Sequence, residues 1–211
     1  MAAFIGYNFM TVTPRDIVDL YEHHARDYDR DRSRALQERA WLDRFLAHVP
    51  SGGTILDVGC GSGEPIARYL IEGGFRVTGV DASPSMIELC RTRFPQAEWL
   101  LMDMRALELG RRFDAVIAWD SFFHLTRDEQ RAMFPRFAAH ARDGAPLLFT
   151  SGSEDGEAIG SWFGEELYHA SLASAEYERL LGENGFSVVQ HVAHDVECGD
   201  HTVWLAAWNG D

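Results

Sequence analysis

Basic residues are scarce in this chain. Its 211 residues hold 19 Lys and Arg against 33 Asp and Glu, a formal net charge of -14. A nucleic-acid surface needs cations to neutralise phosphate, and an anionic membrane makes the same demand. Neither partner is expected, and the pair Arg111-Arg112 reads as a solvated turn. Cysteine is scarce too: Cys60, Cys90 and Cys198, with no C-x-x-C pair. That argues against a disulfide framework or a zinc site, and the odd count suits a reducing cytoplasm. No apolar run is long enough to span a bilayer, and the apolar start at Met1–Tyr7 lacks a basic leader segment. Met10 is an alternative start, which makes the first nine residues an extension. No His, Cys, Asp or Glu group has metal-ligand spacing, so no metal is expected; His23 and His24 are neighbours and face different sides of a helix. There is no G-x-S-x-G elbow, no internal repeat and no low-complexity segment. What remains is an ordinary globular composition, 46% apolar and 25% charged, long enough for one substantial core.

The chain is organised around Ile55-Leu56-Asp57-Val58-Gly59-Cys60-Gly61-Ser62-Gly63. Apolar residues around one acid read as a buried strand, and glycines at alternate positions read as a tight loop. Glu64-Pro65 then opens a helical pattern, where proline suits a first turn. Strand, glycine loop and helix bring bare backbone close to a ligand. The dinucleotide fingerprint is G-x-G-x-x-G; here the spacing is G-x-G-x-G and Glu64 stands at the third dinucleotide position. An acid there is expected to repel a pyrophosphate. Asp81 ends the next strand, Phe75–Val80, about 20 residues on, where an acid accepts from ribose hydroxyls. The site therefore asks for a nucleoside without phosphates.

These residues, with Met102-Asp103-Met104 and Phe113-Asp114-Ala115-Val116-Ile117-Ala118-Trp119, resemble the ordered motifs of class I S-adenosylmethionine (SAM) dependent methyltransferases. The resemblance covers roughly residues 50 to 150, a normal domain's worth. It implies a Rossmann-like, doubly wound, seven-stranded α/β sheet, mostly parallel with an antiparallel last strand, plus N-terminal helices. It also implies SAM as cofactor, S-adenosylhomocysteine (SAH) as product, and a small-molecule acceptor. Other displacement chemistry on SAM, or SAM binding without turnover, are the alternatives.

Thr13-Pro14 followed by Asp16 signals a helix start. Ile17, Leu20, Tyr21, His24 and Tyr28 recur at helical spacing, with a break expected within Arg26–Arg34. A second amphipathic helix carries Leu36, Trp41, Leu42, Phe45, Leu46 and Val49. Strands and helices then alternate over 54–58, 64–72, 75–80, 84–93, 98–102, 113–119, 127–141 and 145–150, which implies a parallel sheet. Thr126–Glu129 is a capping box, and Pro135 lies inside the following helix. Residues 151–172 read as a long aromatic loop, Ser174–Glu183 as a last helix, and 186–194 with 201–208 as two final strands. The expected organisation is one domain over 1–211: a helical cap at 13–49, a SAM-binding core at 54–150 and an acceptor side at 151–211.

The resemblance makes Gly59, Cys60, Gly61 and Gly63 the cofactor loop. Asp57 steadies it or reaches the methionine ammonium. Asp81, with Ala82 beside it, is the ribose acid. Asp103, with Met104, takes the adenine amino group or caps the next segment. Met86 pads the adenine or packs in the core. Tyr21 and Tyr28 fold over the cofactor or form a packing face. Trp119 packs a cation or walls the acceptor pocket. Asp120 steers an acceptor amine or holds a water, and His124 is a general base or a structural histidine. Trp162, Phe163, Tyr168 and His169 roof the acceptor pocket, the last two offering its polar groups, or they merely cover a sheet edge.

Overall fold

The strand Thr54–Val58 (β1) is the middle of a seven-stranded sheet. It pairs in parallel with β2 (Arg76–Asp81) on one side and β4 (Ala115–Ala118) on the other. β3 (Glu98–Leu101) lies beyond β2 and β5 (Pro146–Ser151) beyond β4, both parallel. The last strand, β9 (His201–Trp208), inserts antiparallel between β5 and β8 (Phe186–Asp195). The order is β3-β2-β1-β4-β5-β9-β8, the mostly parallel sheet with an antiparallel last strand that the family resemblance implies. This computed structural model describes residues 13–210; the choice between Met1 and Met10 falls outside them. Among the described residues no helix is long and apolar enough to cross a membrane.

Successive strand residues point to opposite faces. Leu56 and Val116 meet Phe134, Phe137 and Tyr177 of α6 (Arg127–His140) and α7 (Ser174–Glu183). Ile55 and Ile117 meet Trp41, Phe45 and Leu70 of α3 (Arg39–Leu46) and α4 (Ile66–Glu72), with α5 (Pro84–Arg93) alongside. Each such buried side chain contributes about 1.5–3 kcal/mol. The start of α6 follows its capping box: Thr126 N–H donates to Glu129 Oε2 at 2.9 Å and Glu129 N–H to Thr126 Oγ1 at 3.2 Å.

Four expectations change. Residues 151–172 are not an irregular loop: β6 (Gly156–Trp162) and β7 (Glu165–Ser171) form an antiparallel hairpin of their own, turning at Phe163-Gly164. β6 is almost wholly solvent-facing, so it lacks the apolar alternation that marks a half-buried strand; its order comes from pairing with β7. The first helical stretch breaks earlier than its charges suggest, at His24, into α1 (Pro14–His23) and α2 (Ala25–Asp31). Leu36 precedes α3 in a left-handed conformation (φ 50°) instead of lying on its face. The helix after the glycine loop begins at Ile66, with Pro65 as its cap. The hairpin leans on α1, where Tyr168 and Ala170 pack with Ile17 and Leu20.

Candidate active site

The sheet order reverses between β1 and β4, and ligands of such sheets sit outside the strand ends at that point. The glycine loop leaves β1 here. Its amides are already used: Gly59 and Cys60 donate to Val80 O at 2.8 and 3.0 Å, Gly61 to Asp81 Oδ2 at 2.9 Å, and Gly63 to Cys60 O at 3.0 Å. Three of these bonds stitch the loop to β2, and the fourth closes it on itself. Glu64 does not act as expected. Its carboxylate is buried and held by Arg68 Nε at 2.9 and 3.0 Å, away from the cavity, so its charge repels nothing there. The amides of Gly59, Cys60 and Gly61, tied to β2, are not free to take a phosphate. NAD is accordingly expected to show no saturable binding by calorimetry; micromolar binding would overturn the reading.

A cavity opens over the loop. Gly59 and Gly61 form its floor, with Asp81 and Ala82 at the end of β2 and Met86 from α5. Met102, Asp103 and Met104 close one side, and Asp120, Ser121 and His124 the other. Ile17, Val18 and Tyr21 of α1 and Tyr28 of α2 cover it. Both oxygens of Asp81 accept backbone N–H groups, Oδ2 from Gly61 and Oδ1 from Ser83, each at 2.9 Å. Burial nevertheless raises its pKa. Met86 is both core and lining: it is 1% exposed and borders the cavity. Asp103 likewise caps the turn Met104–Ala106, accepting from Arg105 N at 2.8 Å, while it lines the cavity.

Other candidates lie elsewhere. Gly63 backs onto the core, where a Cβ would come 3.0 Å from Phe94 Cε2. Cys60 is buried beneath the loop, 3.7 Å from Gly61 O, with its thiol pushed well up by burial. Trp119 follows Ile117 to the α3 face by the two-residue strand period; its ring lies 5.5 Å from that of His201 and beside Leu36 and Cys198. Tyr168 packs against α1, and burial pushes its phenol up to about 12. Its carbonyl, not its side chain, reaches the site.

Asp57 lies within β1 near Asp81 and is not among the residues lining the cavity; it is 4% exposed, with no hydrogen bond to its carboxylate among the described residues. Burial, aided by the charge of Asp81, pushes it up to about 7. The native state therefore binds a proton there that the unfolded chain, with an ordinary aspartate, releases near pH 4. Stability from this group is present at low pH and is lost as pH rises through about 7. Asp57→Asn should melt a few degrees higher than the native chain at pH 8 and show a flatter pH dependence between 4 and 7 in thermal scans.

Beside the cavity, and sharing Tyr21, Tyr28, Asp120 and His124 with it, is a recess completed by Arg32, Phe123, His169 and His201. Asp120 sits at the end of β4 in a left-handed conformation (φ 48°). Its Oδ1 lies 2.9 Å from His201 Nε2 and its Oδ2 accepts from Arg32 Nη1 at 3.2 Å. Burial raises its pKa, but His201 and Arg32 outweigh that and hold it below the usual range. His124 Nδ1 faces Tyr168 O at 2.9 Å, and a carbonyl only accepts, so Nδ1 carries the proton. Nε2 then accepts from the Tyr21 hydroxyl at 3.1 Å. Burial pushes His124 down to about 4, and burial lowers His169 too. Over the rim, the Trp162 ring lies 5.0 and 5.8 Å from Tyr21 and Tyr28, while Phe163 stacks on His24 outside. Arg32 and His201 escaped the sequence reading. They lie 88 and 81 residues from Asp120, one in an Arg-rich stretch and the other at a strand start, and neither carries a spacing signal.

The donor set fits a nucleoside with a cationic tail. Asp81 and Asp103 accept hydrogen bonds, and Ile17, Met86, Met102 and Met104 give apolar walls. Asp57 is a partnerless acid within β1, and the bordering Arg105 is held by Asp103 and Glu129.

Residues 55–144 match the methyltransferase domain family. Over 189 residues the chain is 31% identical to a dTDP-3-amino-3,6-dideoxy-alpha-D-glucopyranose N,N-dimethyltransferase of Streptomyces fradiae, covering 89% of this chain and 68% of that one. It is 29% identical to a dTDP-3-amino-3,4,6-trideoxy-alpha-D-glucopyranose N,N-dimethyltransferase of Streptomyces venezuelae, covering 87% and 74%. Among solved structures, the SAM-bound magnesium protoporphyrin IX methyltransferase of Synechocystis PCC 6803 shares the fold, with a TM-score of 0.70 at 19% identity over 96% of this chain and 100% of that one.

Proposed function

Because this chain belongs to the class I SAM-dependent methyltransferases, we propose that it methylates a small-molecule amine held in the Asp120 recess. The observation that supports this reading is a cavity over the glycine loop, Asp81 and Asp103 that shares Tyr21, Tyr28, Asp120 and His124 with an adjoining recess walled by a carboxylate. SAM supplies a methyl group on a good leaving sulfonium. The protein's part is orientation and exclusion of water. Asp81 and Asp103 hold the nucleoside and Met86 and Met104 its apolar face, while Asp57 acts from within β1, behind the lining. Tyr21 spends its proton on His124 and turns only lone pairs to the cavity. His124, neutral and already accepting a hydrogen bond, positions Tyr21 and is not the base. An amine suits such a site: the neutral nitrogen needs no base to attack, and the product sheds its proton after release. The relatives from Streptomyces are named for methylation at nitrogen, which agrees.

In this reading the chain is one domain: 54–150 holds SAM, 13–49 covers it and 151–211 supplies the acceptor side. It works in the cytoplasm, with no nucleic acid or membrane as partner. Trp162 and His169 roof the recess, while Phe163 and Tyr168 hold the roof to α1. Calorimetry with SAH, followed by a screen of amines for SAM turnover, tests the assignment; failure to bind SAH would sink it. His169→Ala should raise the acceptor's KM or slow turnover while SAH affinity and melting temperature stay within error. A variant that melts lower and turns over normally would leave His169 as cover only.

A further inference from the structure

We propose that the acceptor enters the recess as a free molecule, not one linked to a nucleoside diphosphate. The inference rests on the methyltransferase reading. A dTDP-linked amino sugar, the acceptor named for the Streptomyces relatives, brings two phosphates close behind the sugar that carries its nitrogen. Phosphates are held by uncompensated Arg or Lys, or by spare backbone N–H groups. The chain has no lysine; all 19 of its cations are arginine.

Two cations border the recess, and both are committed. Arg32 stands between Asp120, at 3.2 Å, and Glu38, at 3.6 Å. Its Nε has no partner but is sealed from any ligand. His201 faces Cys198 O at 2.6 Å through Nδ1 and Asp120 at 2.9 Å through Nε2, and both partners only accept, so both its N–H groups are spent. Two cations thus meet two carboxylates, Asp120 and Glu38. His124 and His169 are pushed toward the neutral form by burial. A second pocket, sharing Phe123 and His169 with the recess, lies against the β6–β7 hairpin beside Glu154, Asp155 and Glu157. The arginine there, Arg127, is paired with Asp155 at 2.5 Å. The amides of Gly59, Cys60 and Gly61 are bonded to β2. A diphosphate would lie in this half-buried place with its charge unanswered, at a desolvation cost that nothing offsets. A free amine meets the carboxylate of Asp120 and the lone pairs of Tyr21 and needs no cation.

The experiment uses the full chain saturated with SAH, titrated by calorimetry at about 150 mM salt, where long-range steering is screened. SAH binding in the same cell checks the parent reading; its absence would be that reading's failure, not this one's. dTDP and inorganic pyrophosphate are expected to give no saturable heat up to about 2 mM. Saturable binding of either below that level overturns the proposal. Glu38→Gln tests the cause: it frees one side of Arg32 and should tighten pyrophosphate at least about tenfold, to below about 0.2 mM. A Glu38→Gln protein that binds SAH normally and still ignores pyrophosphate overturns the charge account.

Discussion

Gly59→Ala should lose at least about 100-fold in SAM affinity, about 3 kcal/mol, and melt roughly 6 °C or more below the native chain. Gly59 has φ 77°, where a Cβ costs about 1–2 kcal/mol by itself. That Cβ would stand 2.3 Å from Ser121 Cβ, 2.7 Å from its Oγ and 3.1 Å from Met104 Cε. Ser121 cannot step aside cheaply. It is buried, and its hydroxyl donates to Val58 O at 2.7 Å. The loop must move instead, which pulls Gly61 from Asp81 and strips the cavity floor. A total near 3 kcal/mol lies at the upper end of ordinary point-mutant costs, and about 2–4 °C per kcal/mol is usual for a domain of this size. Gly74→Ala is the control. Its φ is 83° with nothing within 4 Å of the added Cβ, so it carries the strain without the collision and should leave SAM binding alone. Native SAM affinity in Gly59→Ala would remove the loop from the cofactor site.

Asp81→Ala is expected to weaken SAM about 10- to 150-fold, the equivalent of the 1.5–3 kcal/mol of charge-assisted hydrogen bonds to a ribose. The tertiary structure adds a second consequence. The same carboxylate anchors Gly61 and Ser83 through backbone N–H groups at 2.9 Å, so the variant also loosens the loop and the start of α5. Asn does not rescue it: its amide nitrogen would face one of those N–H groups, donor against donor. Calorimetry should therefore rank Asn with Ala. Full SAM affinity in Asp81→Asn would mean that the ribose is held elsewhere. A melting temperature within a few degrees of native in both variants would separate lost binding from lost fold.

Much of the geometry around the glycine loop was legible along the chain. Strand, glycine loop and helix are local, and an acid ending the next parallel strand must fall beside the loop because β1 and β2 pair residue by residue, Val58 against Val80. Glu64 shows the limit of such reading. Its position is local, but its direction depends on Arg68, one helical turn on, which turns the carboxylate away. Trp119 shows another: its place just after β4 is local, but the two-residue strand period sends the ring to the α3 face of the sheet.

Composition, periodicity and motif spacing by themselves determined an α/β domain, the order of its core elements and the placement of Asp81 and Asp103 at strand ends near the glycine loop. Each of those follows from contacts between chain neighbours or between adjacent parallel strands. The resemblance of the motifs to a family supplied SAM. Only the tertiary structure decided the acceptor side. Asp120, Arg32 and His201 come from the end of β4, the end of α2 and the start of β9, and they meet because β9 inserts beside β5 while the helical cap folds back over the sheet. The hairpin of residues 156–171 belongs to the same class: its order lies in cross-strand hydrogen bonds and in the packing of Tyr168 and Ala170 on α1, which an exposed stretch without apolar alternation does not announce.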